Sequence, residues 1–224
     1  MIEVEWLFGI FSYLIGSIPN ALIIGKLFFS VDVRDYGSGN PGATNVFRVL
    51  GKGPGLLILF LDTAKGVFAV NLANGISVFQ TSVMGISSTP ATDNHFIFLK
   101  VLFGVFAIVG HILPLFSKFK GGKGVATSFG MLIALDYRVA ICALLVFLIT
   151  YFISGFVSLA SMMAGISVPL LFVTLFDYSQ YPSVIIFSIG ISLSIVYTHR
   201  KNINRLLAGQ EMKFTIEFKK RDTL

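Results

Sequence analysis

"FIFLKVLFGVFAIVGHILPLF", residues 96–116, decides the class of this chain. It carries one lysine and no acidic residue, and it is long enough for a bilayer core that takes about 20 apolar residues per helix. Four more runs read the same way: Leu7 to Ile24, Gly55 to Leu72, Phe156 to Phe176 and Val184 to Tyr197. Composition agrees, with 55% hydrophobic and 12% charged residues and a mean hydropathy of +0.84 over 224 residues. Soluble domains carry about 25% charge. Backbone groups in lipid need partners within their own segment, which leaves helices or closed barrels. Barrel strands of alternating polarity are absent. The expected fold is therefore all-α, a polytopic membrane bundle.

Two shorter apolar runs, Val125 to Leu135 and Val139 to Ile153, are joined by "DYR". Counted as spans they bring the total to seven; read as a re-entrant hairpin they leave five. The chain returns to the same side either way. The amino terminus "MIEVEWLFGIF" is acidic where a secretory signal is basic, so its apolar run reads as a retained span. No repeat or internal boundary is evident, and residues 1–224 read as one transmembrane domain. The polar stretch from Asn71 to His95 reads as an external loop, and the tail "KFTIEFKKRDTL" as a solvated basic surface drawn to anionic lipid. Cys142, the sole cysteine, excludes an internal disulfide and reads as a small packed residue.

The basic residues set the sides. With the amino terminus outside, the inner loops and span ends receive Lys26, Arg34, Arg48, Lys52, Lys65, Lys118, Lys120, Lys123 and all of those from Arg200 to Arg221. That is fifteen of the seventeen; only Lys100 and Arg138 fall outside. The positive-inside rule then puts the carboxyl terminus and every unusual loop at the cytoplasmic face.

The first of these loops, "YGSGNPGATNVFR", spans residues 36–48. Gly37, Gly39 and Gly42 fit G-x-G-x-x-G, but the dinucleotide fingerprint needs a preceding strand, and here a membrane span precedes it. The underlying physics remains: glycines let backbone N–H groups turn toward an anion, and a following helix start adds positive dipole. Ser38, Asn40, Thr44, Asn45 and Arg48 add polar groups, with Asn45 and Arg48 three apart on one helix face. A second loop, "HILPLFSKFKGGKGVATS", places Lys118, Lys120 and Lys123 around Gly121, Gly122 and Gly124. No nucleotide P-loop aligns with it. It still makes a cation-rich turn that exposes backbone, and lysine suits phosphate as a point charge. Ser158 and Ser161 in "FVSLASMMAG" read either as helix-packing residues or as site hydroxyls. His199, Asn202 and Arg205 recur every third residue at the last span end. Asp62 and Lys65, one turn apart near the end of a span, read equally as a mutual pair or as functional groups.

Two phosphate-type loops at one membrane face suit two anionic ligands, one of them with an apolar tail. The residues by themselves leave two readings open: a lipid-phosphate enzyme, or a transporter of a phosphate-bearing solute.

The motifs "GSGNPGATNVFR", "GHILPLFSKFKGGKGVAT", "VSLAS" and "HRKNINRLLAGQE", in this order and between these spans, resemble the bacterial acyl-phosphate:glycerol-3-phosphate acyltransferase family (PlsY). The resemblance covers essentially the whole chain. It implies an inner-membrane enzyme with seven spans, which moves a fatty acyl group from acyl phosphate to the 1-hydroxyl of sn-glycerol 3-phosphate. Lysophosphatidate and inorganic phosphate are released, the first step of phospholipid synthesis. By resemblance Ser38, Asn40, Asn45 and Arg48 form the first motif, Lys118, Lys120 and the Gly121 to Gly124 turn the phosphate-binding second, and Ser158 and Ser161 the third. His199 and Asn202 belong to the tail motif. Ser38, Arg48, His199 and Asn202 are the expected catalytic set. Gly37, Gly39, Asn40, Gly42, Thr44, Asn45, Lys118, Lys120, Gly121, Gly122, Lys123, Gly124, Ser158 and Ser161 are expected to bind substrate. The expected partners are the two small phosphates and the bilayer, with no nucleic acid and no cofactor. Three dispersed histidines and no cysteine pair give no metal-ligand spacing. The H-x-x-x-x-D pattern of another acyltransferase class is missing, since Lys100, Phe116 and Asn204 stand five residues after the histidines. That disfavours acyl-CoA or acyl-carrier-protein donors. The proton acceptor is left open between a donor phosphate oxygen and His199.

Overall fold

The computed structural model describes residues 2–84 and 94–214. Among them there is no strand: the chain is a bundle of ten helices, and it is an integral membrane protein. Helix α1 (Ile2–Ser17) breaks at Pro19 and resumes as α2 (Asn20–Phe29). Proline offers no N–H and disfavours helical backbone in the residue before it, here Ile18. The two together cross as one broken span, Val4–Phe29. After the short amphipathic α3 (Ala43–Leu50) come α4 (Lys52–Met84), α5 (Asn94–Ile112), α6 (Val125–Leu135), α7 (Tyr137–Ser154), α8 (Val157–Thr174) and α9 (Pro182–Thr198). The chain then bends by 56° into α10 (Arg200–Leu207).

Among the described residues five helical segments are long and apolar enough to cross a membrane, or six if the bent α9–α10 pair is counted as one span. The remaining apolar helix, α6, has 11 residues, about 16 Å of rise, and is short of a hydrocarbon core of about 30 Å. Its position explains why so short a helix is held. Gly66 of α4 lies against the Thr127 carbonyl of α6, and Gly130 of α6 lies against the Thr63 carbonyl of α4. A Cβ at either glycine would run into backbone, so the helices meet at main-chain distance. Helices α1 and α5 meet in the same way, with Gly16 against the Ala107 carbonyl and Gly110 against that of Tyr13.

The expected external loop is corrected over its first part: α4 continues through Asn71 to Met84, and α5 begins at Asn94. Asn71 Nδ2 donates to the Val67 carbonyl at 2.9 Å, and Asn74 Nδ2 donates to Asn71 Oδ1 at 2.9 Å. Polar side chains that bond along their own helix do not end it. The 85–93 stretch lies outside the described residues, as does the tail from 215 onward.

One end of the bundle collects the break at Pro19, the 30–42 loop with α3, the 113–124 loop, the α7–α8 turn and α10. This is the motif end. Between α4 and α6 on one side, and α7, α8 and α9 on the other, a cavity of about 650 Å³ runs inward from it.

Candidate active site

At the motif end the 36–42 loop is held from inside by Asn45, which is 1% exposed. Asn45 Nδ2 donates to the carbonyls of Val33 (2.8 Å) and Tyr36 (3.1 Å), while Oδ1 accepts the Ser38 N–H at 2.8 Å. Both amide protons are therefore spent on the chain itself. Gly37 turns through φ +60° directly over the Asn45 oxygen, where a Cβ would collide with it. Asn45, expected to bind substrate, thus shapes the loop from inside. Ser38, Asn40, Gly42, Thr44, Asn45 and Arg48 line the cavity. Gly37 and Gly39 supply left-handed turns and are not part of its lining.

The second loop divides its lysines. Lys118 and Lys120 are exposed and are not among the cavity-lining residues, whereas Lys123 and Gly124 are. Gly121 and Gly122 line a separate small cavity. Spacing alone gave no reason to separate Lys123 from the other two. The fold does so because Lys123 stands just before α6, where Gly124 (φ +82°) turns the chain into the bundle.

Lys123 is the first member of a hydrogen-bonded chain. Its Nζ donates to Asn202 Oδ1 at 2.6 Å, and Asn202 Nδ2 donates to Glu211 Oε1 at 2.6 Å. Glu211 also accepts from Ser158 Oγ on Oε1 at 2.8 Å and from Arg205 Nε on Oε2 at 2.8 Å. Burial works to raise the Glu211 carboxyl, but the bonds from Asn202, Ser158 and Arg205 outweigh it and hold the group below its ordinary range. Sequence reasoning missed Glu211. The only available signal was its place at the end of the "HRKNINRLLAGQE" motif. Of the two serines, Ser158 reaches the site, while Ser161 Oγ donates to the Val157 carbonyl of its own helix at 2.8 Å. Both line the cavity.

His199 is 2% exposed, at the bend between α9 and α10. Its Nδ1 lies 2.7 Å from the Ile195 carbonyl. A carbonyl oxygen only accepts, so Nδ1 carries a proton and Nε2 is left as the available acceptor.

The expected solvated tail is also corrected at its start. Phe214 N donates to the Gly155 carbonyl at 3.1 Å, and the Phe214 carbonyl accepts from Tyr151 Oη at 2.8 Å. The Phe214 ring lies edge-on to Phe47 and 5.9 Å beneath the Arg48 guanidinium. Residues 211–214 thus form a strap that ties α10 across α3 and α7.

Burial, with Arg205 and Arg48 nearby, pushes Lys123 down to about 8 against the pull of Glu211. The ammonium is present below that value and lost as pH rises through it. The KM of a phosphate substrate bound by Lys123 is therefore expected to rise about tenfold per unit above pH 8. Lys123→Arg should remove that limb. A KM flat from pH 7 to 9 in the unaltered protein would refute the assignment.

Among the described residues no group of three or more histidine, cysteine, aspartate or glutamate side chains is placed to hold a metal ion. The site offers cations and hydroxyls at the mouth of an apolar cavity, a layout for an anionic head with a hydrocarbon tail.

The family profile described as "Glycerol-3-phosphate acyltransferase" matches residues 6–209. A protein of that name from Pelodictyon phaeoclathratiforme is 39% identical over 91% of this chain and 94% of its own. One from Trichormus variabilis is 43% identical over 90% of this chain and 88% of its own. Among solved structures, PlsY (YgiH), an integral membrane glycerol 3-phosphate acyltransferase, superposes in its glycerol 3-phosphate form with a TM-score of 0.77. That match has 40% identity and covers 95% of this chain and 96% of the other. The lysophosphatidic acid form superposes with a TM-score of 0.74.

Proposed function

This chain belongs to the glycerol-3-phosphate acyltransferase family, and from that premise we propose how its motif end divides the work of acyl transfer between two phosphates. The protein is an acyltransferase of phospholipid synthesis acting on glycerol 3-phosphate. The donor is an acyl phosphate, and the motif end faces the cytoplasm at the bacterial inner membrane. The charge distribution of the loops supports that orientation.

One observation carries the division: Arg48, Lys123, His199 and Asn202 converge at the polar mouth of a cavity whose depth is apolar. Along α8 the lining runs Ser158, Ser161, Gly165, Val168, Phe172. That is one helix face about 21 Å long, more than the half of a bilayer core of about 30 Å that one lipid chain fills. The acyl tail lies along this face, and the phosphates gather at the mouth. The hydroxyl of Ser128, in the first turn of α6, lines the cavity and is buried with no partner among the described residues. An unpartnered buried hydroxyl costs about 1–3 kcal/mol, which a substrate oxygen would offset.

In the transfer the glycerol 1-hydroxyl oxygen attacks the acyl carbon, and a tetrahedral oxyanion forms. The carbon–oxygen bond to phosphate then breaks, and inorganic phosphate leaves. The cations hold two anions together and so supply proximity and electrostatic stabilisation. The hydroxyl proton goes to an oxygen of the departing phosphate, with His199 Nε2 as the side-chain alternative. Detergent-purified protein given palmitoyl phosphate and glycerol 3-phosphate is expected to release lysophosphatidate and inorganic phosphate together, and only with both substrates. His199→Gln distinguishes the acceptors. Retention of kcat within about tenfold assigns the proton to phosphate, since loss of a true general base costs about 10²–10⁴. Absence of both products in detergent and in lipid would refute the donor assignment.

A further inference from the structure

Three buried groups at the motif end stand outside the chain of bonds around Lys123. Asp62 and Lys65 of α4 and His111 of α5 are 2%, 6% and 8% exposed. Lys65 Nζ lies 3.0 Å from Asp62 Oδ1 and also donates to the carbonyls of Gly16 and Ile18, where α1 ends. Asn20 Nδ2, at the start of α2, donates to the same Asp62 oxygen at 3.0 Å. The pair thus closes both sides of the helix break, its ammonium on carbonyls at the end of α1 and its carboxylate on the restarting helix.

On the other side the cluster meets the glycine turn. His111 Nδ1 lies 3.8 Å from Asp62 Oδ1. The His111 carbonyl accepts the Gly122 N–H at 3.1 Å. Gly122 rests on the imidazole, where a Cβ would run into Nε2, and a Cβ on Gly121 would run into the His111 carbonyl. Asp62 and His111 line both the large cavity and a small one of about 20 Å³ that reaches Lys120, Gly121 and Gly122. A buried ion pair is weak evidence for stability, since apolar residues hold helices as well. What apolar residues would not do is fix an imidazole under a turn.

We propose that Asp62, Lys65 and His111 are positioning residues: they seat the Gly121–Gly122 turn and thereby aim Lys123 at the donor phosphate. The proposal rests on the reading that acyl phosphate is the donor. Asp62 flanks the ring at 3.8 Å, the ring and its carbonyl set the turn, and the turn delivers Lys123 into the cavity.

The test couples positions 111 and 122 in the full-length protein. Palmitoyl phosphate and glycerol 3-phosphate are varied in turn, and palmitoyl phosphate binding is measured by calorimetry. Gly122→Ala and His111→Ala are each expected to raise the KM and Kd for palmitoyl phosphate about tenfold, with the KM for glycerol 3-phosphate within about twofold. In the double variant the ring that the new Cβ would meet is gone. Its Kd is therefore expected to be no worse than that of either single variant. Asp62→Asn should move the same constant. If the single effects multiply to about a hundredfold, or if both substrates' KM values change equally, the proposal is overturned while the enzyme reading stands. A wild type that neither binds nor consumes palmitoyl phosphate overturns the donor assignment and this proposal with it. Should His111→Ala fail to fold, His111→Gln carries the same comparison.

Discussion

Arg48→Ala is expected to lower kcat/KM by about 10³-fold with little change in thermal unfolding, because its guanidinium is mostly unspent in the folded chain. Among the described residues it makes one long hydrogen bond, to the Met212 carbonyl at 3.4 Å, and lies 5.9 Å over the Phe214 ring. No carboxylate among the described residues pairs with it directly, in contrast to Arg205, which is held by Glu211 at 2.8 Å. A half-buried, always-charged fork at the mouth of the cavity is ready for a planar bidentate partner such as phosphate. Removing one preorganised donor to developing negative charge costs about 10²–10³ in rate. Steady-state kinetics with each substrate varied would check this. Arg48→Lys should recover only part of the loss, about tenfold, because an ammonium is a point charge without the fork. Wild-type turnover in Arg48→Ala would remove Arg48 from the site.

The bundle was legible because the bilayer leaves the backbone so little choice: 96–116 and its counterparts had to be helices. The loop at 36–48 was legible for the opposite reason, since glycine, asparagine and arginine have no structural use to a lipid-facing segment. What stayed hidden depends on distance along the chain. Glu211 reads as an ordinary carboxylate after a helix. Its role appears only when Ser158, Asn202 and Arg205 are brought around it by the bend after Thr198. Phe214, read as part of a solvated tail, docks because Gly155, Tyr151 and Phe47 offer a carbonyl, a hydroxyl and a ring edge from distant parts of the chain. Asn45 stands in the first motif and lines the cavity, yet its side-chain amide donates to the loop's own carbonyls, a direction that helix spacing does not give. Asp62 and Lys65 were left between pairing and function. The structure pairs them and then sets that pair against His111 and the glycine turn.

Asn202→Asp is expected to lower kcat/KM by about 10²–10³, and Glu211→Gln in the same chain to restore much of it. The reason is polarity along the chain of bonds, since the substitution keeps the shape of the side chain. Asn202 accepts from the Lys123 ammonium through Oδ1 and donates to the Glu211 carboxylate through Nδ2, both at 2.6 Å. An ionised carboxylate in its place could accept but not donate. Aspartate would keep the lysine and place two carboxylates in contact, so one must take up a proton or the pair must part. If they part, α10 and the 211–214 strap shift, and Lys123 leaves its place in the cavity. Glutamine at 211 would supply the missing donor, reverse the sense of one bond and relieve the repulsion; Arg205 could still donate to its oxygen, and Ser158, which shares the atom that becomes the nitrogen, would turn to accept. A purely structural defect from Asn202→Asp would not be mended by neutralising a residue nine positions away. The double variant is therefore the deciding measurement, read as kcat/KM together with the pH dependence of KM. If Glu211→Gln adds its own loss to that of Asn202→Asp, the amide does not work as the link between cation and carboxylate, and Lys123 is held by something else.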